Sequence, residues 1–214
     1  MRVPNLIVAV AILAFASASQ AQLTFSGPAT FGSAFSSGTL TPAAIFTVTS
    51  PASGINLAGD FYVTVPSGTT TGNLLQWYVD RPISGVSGPF TITTSLTGFT
   101  SLTVGSNSGG GVLVTEIYNG GSIVAGTQCV TQFSYSGALT TFSQFNTITP
   151  IYSYTAGDTL RLYYDATVNY SGTGGVFDVN FPAQAIITAV PEPTSALLVV
   201  IGMGALAYRR HRRR

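Results

Sequence analysis

The sequence predicts an all-β fold, an antiparallel two-sheet sandwich of jelly-roll type, flanked by a short helix at each end. Three observations predict it. Short runs rich in Val, Ile, Thr, Phe and Tyr are separated by Gly, Pro, Asn and Ser, the texture of strands and turns. In the later runs apolar and polar residues alternate, so each strand buries one face and solvates the other, as antiparallel sheets do. Only 7% of the 214 residues are charged, against roughly 25% in an ordinary soluble protein. Lysine is absent. Such a surface is solvated by hydroxyls and backbone, which suits an extracellular β-protein better than a cytosolic enzyme.

Residues 1–21 read as a secretory signal. Met1-Arg2 is followed by an apolar run from Leu6 to Ala16 and a small-residue exit, Ala16-Ser17-Ala18-Ser19-Gln20-Ala21. Cleavage after Ala21 fits best, with Ala18 the alternative. The run is too short for a stable membrane span, which takes about 20 residues.

Residues 22–189 read as the β-sandwich domain. Residues 22–43 are low in large aliphatics and predict a mobile arm or an edge strand. Strands are predicted at Ile45–Thr49, Gly59–Val65, Leu74–Asp80, Phe90–Leu96, Thr100–Val104 and Val112–Tyr118. Further strands are predicted at Gln128–Tyr135, Leu139–Thr147, Thr159–Val168, Val176–Phe181 and Ala185–Ala189. Leu160, Leu162 and Tyr164 share one face, opposed by Arg161, Tyr163 and Asp165. Turns are expected at Asn107-Ser108-Gly109-Gly110-Gly111, at Asn119-Gly120-Gly121 and at Ser171-Gly172-Thr173-Gly174-Gly175. Asn119-Gly120 is the strongest of these hairpin signals, because that pair supplies positive φ. No repeat period is present, which argues against a solenoid.

The charges are segregated. Five arginines lie in the last six residues and Arg2 lies at the start. Residues 22–189 hold Arg81 and Arg161 against Asp60, Asp80, Glu116, Asp158, Asp165 and Asp178, a net of −4. Two arginines in an acidic domain make no basic patch, so nucleic acid is excluded as a partner. Cys129 is the single cysteine, which rules out an intramolecular disulfide and a thiolate zinc site. Alternation places it with Phe133 and Tyr135 on one strand face, as a small buried hydrophobe.

Catalytic chemistry finds little to work with. The one histidine, His211, lies in the arginine tail, so a Ser-His-Asp triad cannot be assembled in the domain. Asp80, Glu116, Asp158 and Asp165 are the candidates for a carboxylate pair of the glycosidase kind. Turn or surface roles account for each, Asp158 after Gly157 above all. No acidic loop has EF-hand spacing. No catalytic residue, metal site or cofactor is therefore expected. Aromatic surface for stacking on sugar rings could come from Trp77 and Tyr78, and from Tyr152, Tyr154, Tyr163, Tyr164 and Tyr170. A core position is the stronger expectation, for Trp77 especially. Thr97, Thr100 and Thr103 recur at threes without forming a repeating coil.

Residues 190–214 have three parts in fixed order. Val190-Pro191-Glu192-Pro193 stays extended, because its prolines fix φ and remove donors. The uncharged stretch that follows is apolar on every face and reads as lipid-embedded. From Thr194 to Tyr208 it makes a helix about 22 Å long, short of a hydrocarbon core near 30 Å, so a temporary span relies on snorkelling and local thinning. Arg209, Arg210, Arg212, Arg213 and Arg214 then act as a cytoplasmic stop. This order resembles the PEP-CTERM sorting tail found on exported proteins of many Gram-negative bacteria. The resemblance covers about 25 residues and implies processing near Pro191–Pro193 by an exosortase-type membrane protease. It implies nothing about residues 22–189, because such tails are attached to unrelated domains. The expected protein is exported through signal peptidase and the secretion machinery and transiently anchored in the inner membrane. It then reaches the cell surface or matrix, with a structural or adhesive role in exopolysaccharide. A sugar-binding module without turnover is the alternative, and a secreted carbohydrate-active enzyme is less favoured.

Overall fold

The structure is a computed structural model and describes residues 22–38, 43–190 and 203. The signal segment, the span Thr194–Tyr208 (Met203 apart), Pro191–Pro193 and the terminal arginines lie outside the described residues. Among the described residues no helix is long and apolar enough to cross a membrane.

The described domain is an antiparallel β-sandwich, as the alternation predicts. Its strands are β1 (Gln22–Phe25), β2 (Thr30–Gly38), β3 (Ala43–Thr49), β4 (Gly54–Ser87), β5 (Phe90–Leu102) and β6 (Ser106–Asn119). They continue with β7 (Ser122–Ile123), β8 (Cys129–Gly137), β9 (Leu139–Ile148) and β10 (Thr159–Ala189). Residues 22–43, predicted as an arm or an edge strand, supply the edge strands β1 and β2.

Two strands organise everything else. β4 has 34 residues and β10 has 31, and they pair from Thr159↔Pro82 to Ile186↔Gly54. A straight strand of that length would span about 110 Å, far beyond a domain of this size, so the ribbon must fold over. It bends where the register shifts between Gly172 and Thr173, beside Gly68 and Gly175, which take positive φ. Each half then nucleates one layer. In layer one, β3 and β10 flank the first half of β4, while β5 and β9 continue beyond β10. In layer two, β2 and β10 flank the second half of β4, while β6 and β8 continue beyond β10. The sequence breaks predicted between Val65 and Leu74, and between Val168 and Val176, are therefore bends within continuous strands.

The glycine run at Asn107–Gly111 is a further correction, because it is not a turn. It lies inside β6, paired with β10 on one side and β8 on the other. A Cβ on Gly111 would stand 2.1 Å from the carbonyl oxygen of Asp165, and one on Gly110 2.5 Å from that of Phe133. Close backbone approach on both flanks is what these glycines serve. The real connection is the short loop containing Gly105, at φ +113°.

A ladder of rings crosses the layers and fixes how they face. Trp77 and Tyr164 stack at 4.9 Å and 3°, and Phe181 from the opposite layer stacks on Tyr164 at 5.2 Å. Phe133 extends the stack from Tyr164, at 5.5 Å, to Phe142, at 5.6 Å. Gly59 leaves room for the ring of Phe181, since a Cβ there would meet it at 2.3 Å. Cys129 is fully buried beside this core, on the same face as Phe133 and Tyr135.

Candidate functional site

Alternation along β4, β6 and β10 sends every second residue of layer two outward, and the register sets those residues side by side. Tyr163 lies opposite Tyr78, Arg161 opposite Asp80, and Asp165 opposite Gln76. On its other side Arg161 is opposite Glu116. Four of the eight charged residues between Gln22 and Val190 thus share one outer face.

Arg161 is the centre of the face. Its Nε and one terminal nitrogen donate to the two carboxylate oxygens of Asp80, each at 2.8 Å. Its guanidinium carbon lies 4.2 Å from the centroid of Tyr78 and 3.8 Å from that of Tyr118. The planar cation is therefore held between two aromatic rings while its edge is clamped by a carboxylate. The Asp80 bonds raise the guanidinium above its ordinary value, against the opposing effect of burial.

The remaining polar groups ring this stack. Gln76 Nε2 donates to Asp165 at 3.1 Å, and the Tyr163 hydroxyl donates to the same oxygen at 3.3 Å. Burial, followed by the Asp165 charge, raises the Tyr163 phenol. Gln128 Nε2 donates to Glu116 at 3.0 Å. Glu116 is only 5% exposed although it points away from the core. Desolvation therefore raises its carboxyl, against the pull of Gln128 and Arg161.

The other residues singled out from the sequence fall elsewhere. Trp77 is 3% exposed and sits in the ring ladder, so it offers no face to a ligand. Trp77 takes the core position expected for it and not the stacking role, because odd-numbered residues of this part of β4 point inward. Tyr78, one position on, lies on the outer face. Tyr164 and Tyr170 are buried, while Tyr154 is exposed. Asp158 closes the turn before β10 and accepts hydrogen bonds from Tyr152, Asn119 and the Thr155 amide. Burial opposes its ionisation, but those three donors together hold its carboxyl below the ordinary value. Thr97 and Thr103 are exposed, whereas Thr100 is buried and donates to Asn107 Oδ1 at 3.1 Å, so the three share no surface. Val190 donates its amide to the Pro89 carbonyl at 3.1 Å.

Sequence reasoning missed Tyr118, Gln76 and Gln128 as members of this face. The signal was present for Tyr118, which alternates in phase with Glu116 and Val114. What lacked was the register that brings β6 beside β10.

No family model matches the chain, and no curated protein matches it. Among solved structures, the TmCBM61 module in complex with β-1,4-galactotriose is similar over 72% of this chain and 88% of its own, at 12% identity and TM-score 0.25. A family 11 carbohydrate-binding module of a Clostridium thermocellum cellulosomal cellulase is similar over 83% of this chain and 99% of its own, at 11% identity and TM-score 0.27. The enzymatically active domain of a bacteriophage CBA120 tailspike protein is similar over 74% of this chain and 19% of its own, at 12% identity and TM-score 0.26. At these scores neither ligand nor activity carries over to this chain.

Proposed function

We propose that this chain is an exported surface or matrix protein that binds polysaccharide without turnover, through the outer face of layer two. One observation carries the reading. Tyr78, Arg161 and Tyr118 form an aromatic and cationic stack on a face turned away from the core, ringed by Asp80, Glu116, Asp165, Gln76, Gln128 and Tyr163. Sugars present apolar C–H faces and bidentate hydroxyl pairs. Rings answer the first, and fixed carboxylates, amides and a guanidinium answer the second. Each carboxylate of the face is already engaged, Asp80 by Arg161, Asp165 by Gln76 and Tyr163, and Glu116 by Gln128. Groups tied in this way orient a ligand; an acid–base pair would need two carboxyls facing across the scissile bond. Export and delivery rest on the sequence alone, on the segment 1–21 and on the sorting tail from Val190 onward.

The binding claim is tested by affinity electrophoresis of the protein through gels containing its host's exopolysaccharide. Retardation is expected, weakened about tenfold or more by Tyr78→Ala or Tyr163→Ala, with unchanged circular dichroism. Equal mobility of wild type and both variants would refute the assignment. Intact mass of the surface protein is expected to begin after Ala21 and to stop near Pro191–Pro193. Arg214 retained on surface-exposed protein would refute the sorting claim.

A further inference from the structure

Charge is distributed by strand position in this molecule. All eight charged residues between Gln22 and Val190 lie on β4, β6 and β10, or, for Asp158, immediately before β10. Each of those three strands has neighbours on both sides. Among the described residues, the strands that pair on one side only are β1, β2 and β3, each with β4, then β7 and β8 with β6, and β9 with β5. None of them carries a charge. This inverts the usual arrangement, in which edge strands carry lysines, prolines or inward charges that block pairing with another chain.

β9, with ten residues, is the longest of these edges. Its sequence, Leu-Thr-Thr-Phe-Ser-Gln-Phe-Asn-Thr-Ile, has no charge, no proline and no glycine. The uncharged run around it extends from Ile117 to Gly157. Side chains rather than a backbone ladder tie it to β8: Thr140 Oγ1 donates to the Ser136 carbonyl, and Asn146 Nδ2 to that of Val130. Leu139 is 66% exposed and Phe145 77%. Pairing with β5 puts both on the outer face of layer one, in phase with Ser101 and Ser95.

We propose that β9 is a self-association edge and that its occupant is the β9 strand of a second copy, antiparallel across a two-fold axis. A second copy offers the same uncharged edge, with the same two exposed apolar side chains to cover. A two-fold centred on Phe142 sets Leu139 opposite the second copy's Phe145 and Thr141 opposite its Ser143, and each contact occurs twice. Both exposed apolar side chains are then covered, seven residues per copy are in register, and no charge meets a like charge. An isologous contact closes on itself as a dimer. It joins the two copies of layer one into one continuous sheet, leaving the outer face of layer two free.

Sedimentation velocity of the purified protein over a concentration series tests the proposal. A dimer is expected, and Thr141→Lys/Ser143→Lys is expected to weaken it by roughly 30-fold or more through like-charge opposition across the axis. Both positions are exposed, so the thermal melt of that variant is expected to match wild type. Disulfide capture checks the register independently of stability, and buried Cys129 stays silent in it. Oxidising a mixture of Thr141→Cys and Ser143→Cys proteins is expected to yield the mixed dimer above either like pair. Opposed residues lie about 4.5–5.5 Å apart, within disulfide reach. A monomer at every concentration would overturn the proposal. So would a dimer that the double lysine variant leaves intact, or capture through Thr47→Cys on β3 in place of β9.

Discussion

Arg81 carries its charge into a site where its partners are neutral. It is 8% exposed, its Nε donates to the Gly27 carbonyl at 3.1 Å, and a terminal nitrogen donates to Pro51 and Gly54. Its guanidinium lies 3.9 Å above Phe25. Burial lowers its pKa, and the carbonyls it gathers pin the connections before β2 and β4 to the sandwich. Asp178 makes the opposite kind of demand. It lies on the outer face of layer one beside Asp60, and one oxygen of each carboxyl is buried without a hydrogen-bond partner. Desolvation first, then the Asp60 carboxyl, raises Asp178 from 3.8 to about 6. The folded state therefore holds this proton more tightly than the unfolded chain. Its contribution to stability is present below about pH 4 and is lost as pH rises through about 6. Glu116 is shifted the same way, while Asp158 is shifted oppositely and acts below that window. Melting temperature is expected to fall between pH 4 and 7, and Asp178→Asn to flatten that slope. Thermal melts across the window check it, and a wild-type Tm that rises there would sink the assignment.

Elements show where a local pattern determines structure and where it does not. In Thr159–Val168 the alternation of Leu160, Leu162 and Tyr164 with Arg161, Tyr163 and Asp165 was enough to place both faces, because burial is two-sided chemistry with a period of two. The same pattern extended to Trp77 and Tyr78 would have sent one ring inward and the other outward. Neighbouring strands were not legible. Nothing local says that β6 lies against β10, so the contact of Arg161 with Tyr118 and the place of Glu116 beside it could not be read. Gly109–Gly111 misled for a related reason. A glycine run signals a turn when only the chain itself is considered, but here the constraint is the backbone of two flanking strands. Gly111→Ala is expected to destabilise by about 1–3 kcal/mol through overpacking, because its new carbon meets Asp165 and Ala166 backbone on a central strand. Gly120→Ala provides the contrast, with open space around it but φ +54°, so its cost is backbone strain without a clash. Urea denaturation of both variants measures the difference, and equal stability of Gly111→Ala and wild type would contradict the packing account.

At the scale of the whole molecule, the folded ribbon of β4 and β10 is the spine from which both layers grow. It explains why the outer face of layer two is rich in charged side chains, since three of the four charged groups there sit on these two strands. It also sets a timetable. Every ladder of β10 reaches far back in the chain, to β4, β5 and β6, so an emerging polypeptide has every other strand of the domain before it has the one that joins these three. Such non-local pairing folds slowly, on the order of milliseconds to seconds. A chain ending before Thr159 is expected to show no cooperative melt by circular dichroism, and a sharp transition in that fragment would argue against the spine. A polypeptide whose central strand is synthesised last cannot commit to its native shape early. It stays unclosed until the 31 residues of β10 arrive, which is the state that the proposed export would require of its cargo.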